Sequence, residues 1–228
     1  MNPPLNLLHI RELLRTKFPL AQAALQEAEA VPTGVDCLDQ LQLQPGRLHE
    51  IVCGSRGAGA GLLLSALLDA WGRGMRTPVA LVDGADVFSP QEVAAETRER
   101  LLWLRCRSVE QAVKGADLLL RDGNISRVLM DVGLCPVGSV RKVPAQAWHR
   151  LRLLAEKSGS LCCIFTAFQT VPCARSRLLM QLPHGLDAMD RPRPELLARL
   201  RGGVVRRSAG VESEMEAARA ALNLAEAA

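Results

Sequence analysis

The chain has 228 residues, enough for one domain of ordinary size with tails, and 48% of them are hydrophobic, enough for a packed core. Tyr is absent and Phe and Trp are few, so there is little material for stacking the bases of single-stranded nucleic acid. The net charge of +4 is modest and carried mostly by Arg, and the seven cysteines form no C-x-x-C pair and no Cys/His ligand spacing. Buried free thiols in a reducing cytosol are expected, with no metal and no cofactor. The N-terminal sequence lacks a long apolar core of the signal-peptide kind, and no apolar run reaches the ~20 residues that span a bilayer. A cytoplasmic protein with no membrane partner is expected.

Residues 1–30 read as a helical segment. Leu5, Leu8, Leu13 and Leu14 recur near helical spacing, and Pro19 divides two pieces. Val31 to Gly46 is rich in turn residues, with a short helical piece around Asp36 to Leu41. "RLHEIVCG" is an apolar strand running into a glycine loop, and "LLLSALLDAWGRG" is a helix ended by glycine. "PVALVDG" is a buried strand. "SPQEVAAETRERL" reads as a helix with Ser89 as N-cap and Pro90 at its first position. The strand "LLWLRC", the Ser-capped helix "SVEQAVKGADLLLRDG", the strand "ISRVLMDVG", the helix "PAQAWHRLRLLAEKSG" and the buried strand "SLCCIFTAF" follow. Cys162 and Cys163 fall on opposite faces of that last strand. The alternation predicts a mostly parallel sheet covered by helices. "SRLLMQL" and "LLARLRGGVVRRS" read as edge strands separated by the "RPRP" turn, and residues 209–228 as a helical or disordered tail.

The glycine loop carries the first chemical signal. A phosphate-binding loop reads G-x-x-x-x-G-K-[S/T]: backbone N–H groups wrap the phosphates, the Lys reaches them, and the hydroxyl holds Mg²⁺. Gly54, Ser55, Arg56, Gly57, Ala58 and Gly59 keep the glycine spacing, but Ala60 stands for the Lys and Gly61 for the Ser/Thr. The expected role is a strand-to-helix turn kept for packing, the alternative a weak anion site helped by Arg56. The second signal is "RVLMDVG", where Asp131 ends an apolar strand in the manner of a Walker B carboxylate. With the loop's charged partners gone, Asp131 is expected to cap a turn. His49 beside Glu50 reads as structural, because neighbouring strand residues face opposite ways. His9, His149 and His184 are scattered and suggest no catalytic arrangement.

"PTGVDCLDQ", "GRLHEIVCG" and the glycine loop together resemble the opening of the RecA recombinase core. Thr33, Gly34, Leu38 and Asp39 fit its T-G-x-x-x-L-D element, and Gly46, Arg47, Glu50 and Ile51 its next strand. "VALVDGADVFSP" resembles the following strand and turn, with Asp83 and Pro90 matching and Ala85 where the catalytic glutamate belongs. Glu110, Gln111 and Ala112 match the helix before the Walker B strand, and Gln169 falls near the place of a nucleotide-sensing glutamine. The resemblance covers roughly residues 31–185. It implies an α/β RecA-like P-loop core, 31–208, with a degenerate Walker A and three altered catalytic positions, hence a pseudo-ATPase and not an enzyme.

The pattern is most similar to the ImuA-type accessory proteins of inducible (SOS) mutagenic translesion synthesis, through "GRLHEIV", "LLWLRCRSVEQAVKGADLLLRDG" and "HRLRLLAEKSGSLCCIF". That resemblance implies an adaptor in DNA repair and SOS mutagenesis. Its partners would be an inactive Y-family polymerase homologue and an error-prone replicative-type polymerase, with RecA as a further contact and DNA bound weakly or indirectly. Candidate partner-binding residues are Leu8, Ile10, Leu13 and Leu14 in the N-terminal segment, and Met215, Leu222 and Leu224 in the tail. Arg191, Arg193, Arg199, Arg201, Arg206 and Arg207 are candidates for phosphate or acidic-surface contact. The RecA-type DNA loops would correspond to "GLCPVGSVRKVP" and "QTVPCARSR", whose bases are Arg141, Lys142, Arg175 and Arg177. The alternatives are an atypical ATPase, a DNA-binding recombination mediator, and a SulA-like cell-division inhibitor.

Overall fold

A computed structural model describes residues 29–54, 59–73, 78–181 and 190–206. The elements in chain order are α1 (Asp36–Asp39), β1 (Leu48–Val52), α2 (Ala60–Gly72), β2 (Val79–Asp83), a 3₁₀ turn (Pro90–Glu92), α3 (Ala95–Glu99) and β3 (Leu101–Arg105). Then come α4 (Val109–Asp122), β4 (Arg127–Asp131), α5 (Val137–Lys142), α6 (Ala145–Ser158), β5 (Leu161–Thr166), β6 (Ser176–Met180), α7 (Arg193–Arg199) and β7 (Gly202–Arg206). The strands form one seven-stranded sheet in the order β3-β2-β4-β5-β1-β6-β7. Every pairing is parallel except β6 with β7.

The apolar runs of β1, β2 and β5 are buried along their whole length, as strands covered on both faces require. Side chains alternate between two cores. Ile51, Val79, Leu81, Leu129, Cys163 and Phe165 point to one face, where α2 brings Leu63, Leu64, Leu67, Leu68 and Trp71. Leu48, Ala80, Val82, Val128, Met130, Cys162 and Ile164 point to the other. There α4 supplies Val109, Ala112, Ala116 and Leu120, and α6 supplies Trp148, Leu151 and Ala155. Those helical residues recur three and four apart, the spacing of a single buried stripe. Cys162 and Cys163 do lie on opposite faces, and all seven cysteines are buried and free. The strand order carries the C-terminal ends of β1, β4 and β2 to one edge of the sheet, where open α/β sheets bind ligands.

Three local expectations need correction. The segment after Ser89 is not one helix: the Ser89 side chain makes no cap bond, and a 3₁₀ turn is followed by extended Val93 and the separate α3. Val93 must reach the α2 core, where it is 4% exposed, and the Asp69 carboxylate accepts the Ala94 N–H at 2.9 Å to start the next helix. The stretch after Asp131 is not a plain loop, since Val137–Lys142 forms α5. "LLARL" is not strand: Arg193–Arg199 is helical, and only Gly202–Arg206 pairs, so β7 is the edge and β6 lies inside. The Ser108 cap is as expected, its hydroxyl accepting the Gln111 N–H at 3.2 Å. The helical readings of 1–28 and 207–228 lie outside the described residues.

Candidate functional site

β1 delivers the chain to the glycine loop. The Cys53 N–H extends its ladder, donating to the Thr166 carbonyl at 2.9 Å, and Gly54 follows at the surface. Burial pushes the Cys53 thiol up to about 12, so it is a packing group rather than a nucleophile. Ser55, Arg56, Gly57 and Ala58 lie outside the described residues. Gly59 is left-handed at φ 81° and precedes Ala60 and Gly61, the first residues of α2. A Cβ on Gly59 would stand 2.6 Å from Leu200 Cδ2, so the chain after α7 closes directly on this turn. A Cβ on Gly61 would stand 3.6 Å from a Glu92 carboxylate oxygen. Glu92 thus lies beside the first turn of α2, where the helix dipole favours a negative group. Arg193 fastens the same corner, donating to the Ser65 hydroxyl and to the Glu92 carbonyl.

Asp83 and Asp131 end β2 and β4 in register with each other. Asp83 is almost fully buried, and its carboxylate accepts from Val87 N at 3.2 Å, Phe88 N at 2.9 Å and Trp103 Nε1 at 3.3 Å. It therefore organises the 84–88 turn. Asp131 Oδ1 accepts the Gly133 N–H at 2.8 Å, the turn-capping role its sequence context suggests. Desolvation raises the Asp131 carboxyl to about 6, with the nearby Asp83 charge pushing the same way and the Gly133 bond opposing. The two strand ends approach closely because residue 84 is Gly. A Cβ there would stand 2.7 Å from the Asp131 carbonyl oxygen and 3.0 Å from Cys135 Sγ. Ala85 is half-buried and packs on the α4/α6 core.

The side chain that sequence reasoning undervalued is Glu50. It is fully buried, and Oε1 accepts from the Thr166 hydroxyl at 3.0 Å, Thr170 N at 2.7 Å and Val171 N at 3.1 Å. Oε2 pairs with Arg177 Nε at 2.5 Å. Arg177 also donates to the Gln169 side-chain oxygen at 3.3 Å and the Val171 carbonyl at 3.0 Å. Gln169 and Arg177 are thus brought together, and the 167–175 connection is locked to β1. The signal lay in the sequence: a carboxylate inside an apolar strand needs a buried cation. Nothing local showed that the cation stood 127 residues away.

His49, on the opposite face, is structural as expected. Nε2 accepts the Gln44 N–H at 3.3 Å, which makes Nδ1 the protonated nitrogen, 2.7 Å from the Ser176 hydroxyl. That hydroxyl donates to the Leu41 carbonyl at 3.2 Å. Burial, opposed by the Gln44 contact and reinforced by Arg175 and Arg47, lowers the imidazole to about 3. Asp39 shapes the preceding turn, accepting Thr33 N, the Thr33 hydroxyl and Gly34 N at 2.7, 2.8 and 3.1 Å.

The arginine stretch is not one uniform basic surface. Arg191 sits 3.5 Å from Glu195, Arg193 is committed to the α2 corner, and Arg201 binds the Ala198 and Leu200 carbonyls. Arg199 is exposed in α7, and Arg206 is described only by its backbone in β7. Arg207, Leu8, Ile10, Leu13, Leu14, Met215, Leu222 and Leu224 lie outside the described residues. Among the described residues no cluster of three His, Cys, Asp or Glu is arranged to hold a metal, and no helix is long and apolar enough to cross a membrane. The chain matches no protein-family model and no curated protein.

Proposed function

We propose that the chain is a non-catalytic RecA-like adaptor of damage-induced mutagenic translesion synthesis. It would join an inactive Y-family polymerase homologue to an error-prone replicative-type polymerase and contact RecA. The sequence resemblance supplies the family, and the geometry of the glycine turn supports loss of nucleotide chemistry. The observation that carries the reading is the corner of α2. A triphosphate at that helix start needs the N-terminal backbone donors, a cation and a metal-binding hydroxyl. Here Ala60 and Gly61 offer neither side chain, the Glu92 carboxylate lies beside Gly61, and Leu200 packs on Gly59. A carboxylate there repels the ligand that the ancestral loop would attract. The α/β sheet with Asp131 and the glycine turn at one edge also fits a RecA-like P-loop core.

The test is titration of the full chain with a fluorescent ATP analogue and Mg²⁺, beside an Ala60→Lys/Gly61→Thr variant. The natural chain is expected not to bind, and DNA-stimulated ATP turnover by pure protein would overturn the reading. Co-purification with the two polymerase subunits tests the adaptor role separately. Failure to form either binary complex would remove it even if nucleotide binding is absent.

A further inference from the structure

The sheet ends on β3, and one side of that strand is open. β3 closes the strand order and pairs only with β2, in five consecutive parallel pairs without a bulge. The Arg100 carbonyl accepts the Val79 N–H at 3.2 Å, and the Cys106 N–H donates to the Asp83 carbonyl at 2.8 Å. The even-numbered residues therefore turn their backbone groups to β2, and Leu101, Trp103 and Arg105 turn theirs away from the sheet. Natural edge strands are guarded against pairing by Lys, Pro or a bulge, and "LLWLR" has none of these. Its one charged side chain, Arg105, is held by Asp86 at 2.6 Å.

The strand is apolar on both faces. Leu101 and Trp103 pack against the core that α2 covers. Leu102 and Leu104 point to the α4 side and are 43% and 37% exposed. Leu104 lies against Gly115 of α4. Asp117 turns the other way, to Arg150 of α6, so Gly115 and Leu118 are on the β3 side of the helix. As the crossover between parallel strands, α4 runs back along β3. Leu118, 63% exposed and three residues beyond Gly115, therefore falls level with Leu102 and extends the same patch.

We propose that β3 pairs with β3 of a second copy of this chain, antiparallel and about a twofold axis at Trp103, joining the two sheets into one. The edge complements itself in this register. The outward backbone groups of Trp103 meet those of the second copy's Trp103, and those of Leu101 meet those of Arg105, so every open donor and acceptor finds a partner. Leu102 and Leu104 then stand opposite each other's copies in the closely spaced pairs, bringing four exposed leucines together on one face. The flanking charges match as well. Glu99 precedes β3 and Arg107 follows it, both exposed and neither in an ion pair among the described residues. The register sets Glu99 of each copy opposite Arg107 of the other. An edge with an acid at one end and a base at the other suits an antiparallel copy of itself better than a partner of uniform charge. The inference goes beyond the adaptor reading and stands without it, since it uses no residue of the glycine turn.

Sedimentation equilibrium of the full chain from about 1 to 100 μM tests the pairing, and a reversible dimer is expected within that range. Leu104→Lys puts a charge among the four leucines and should weaken the dimer about tenfold or more. Leu153→Lys, at a 54% exposed position on α6, should leave it unchanged. Arg107→Glu sets like charges opposite Glu99 and should weaken it, and adding Glu99→Arg should restore it. A chain that stays monomeric throughout, a dimer that Leu104→Lys leaves intact, or a charge reversal that the second substitution does not rescue overturns the proposal. Amide exchange at Leu101, Trp103 and Arg105, followed by NMR, identifies what covers the edge. Protection that grows with protein concentration is expected. Absent protection overturns the proposal, and so does protection equal at every concentration, which would mean that a segment of the same chain covers the strand.

Discussion

Replacing Arg177 by Met tests whether the Glu50 network holds the 167–175 connection. Met keeps much of the Arg stem's volume and removes the cation. The Glu50 carboxylate then stays fully buried with three neutral donors, the Thr166 hydroxyl and the Thr170 and Val171 N–H groups. Breaking a buried pair from one side costs about 3–5 kcal/mol, and the three remaining donors place this case near 3 kcal/mol. Glu50→Gln alone is expected to cost about 2 kcal/mol, since an amide oxygen can keep the three donors but its N–H₂ group faces the guanidinium. The double variant removes both charges and should lose less than the sum of the singles by about 2 kcal/mol. Urea unfolding followed by the fluorescence of buried Trp71 and Trp148 reads all four proteins, with the slope against urea unchanged. Singles that each cost under about 1 kcal/mol and add without coupling would refute the reasoning, because a desolvated carboxylate cannot lose its cation so cheaply.

The buried imidazole and the raised carboxyl make opposite contributions to acid stability. His49 drops from 6.5 unfolded to about 3 folded, so its stabilisation is full above pH 6.5 and is lost as pH falls toward 3. Asp131 rises from 3.8 to about 6, so its contribution is full below pH 3.8 and is lost as pH rises through 6. The two slopes oppose each other between about pH 4 and 6, and Asp131→Asn should expose the His49 slope of about 1.4 kcal/mol per pH unit, read from urea midpoints at several pH values. Identical pH profiles for the natural chain and the variant would contradict the desolvation assigned to the Asp131 carboxyl. Two glycine replacements should also separate by the rigidity of what they meet. Gly84→Ala drives a methyl to 2.7 Å from the Asp131 carbonyl and should cost about 2–3 kcal/mol by thermal unfolding. Gly115→Ala meets the tip of Leu104, which is half-exposed and can rotate away, and touches Val82 Cγ1 at an ordinary 3.6 Å, so it should cost under about 1 kcal/mol.

The layered architecture was legible because it rests on local patterns. β1, β2 and β5 announce themselves as apolar runs, and α4 by its Ser108 cap, buried stripe and terminal Gly123. The failures came where tertiary contacts overrule local preference. Ser89 and Pro90 offer a good helix start, yet Val93 is drawn into the core and splits the segment. "LLARL" by itself fits a short helix or an edge strand, but Pro194 and Glu195 in the first turn before it are a helix start that the edge-strand expectation passed over. In the site, the glycine spacing and Asp131 could be read directly. The partners of Glu50, Asp83 and Arg193 could not, because each reaches a group distant in sequence or held by the shape of a turn.

Those three partners bear on why the site reads as architectural. A working phosphate site keeps charged groups unsatisfied by the protein so that ligand and metal can take them. At this edge the charges are largely consumed from within. Asp83 spends its carboxylate on the 84–88 turn and the Trp103 indole, Glu50 and Arg177 satisfy each other, and Arg193 ties α7 to Ser65 and the Glu92 carbonyl. Leu200 then occupies the space over Gly59 that a Cβ would need. On the proposed reading, these contacts make the turn a structural joint rather than an open phosphate site. Placing Lys and Thr at positions 60 and 61 supplies the side chains of a phosphate loop but leaves Glu92 and Leu200 in place. Nucleotide binding is therefore expected to need changes in the α7 corner as well as in the loop.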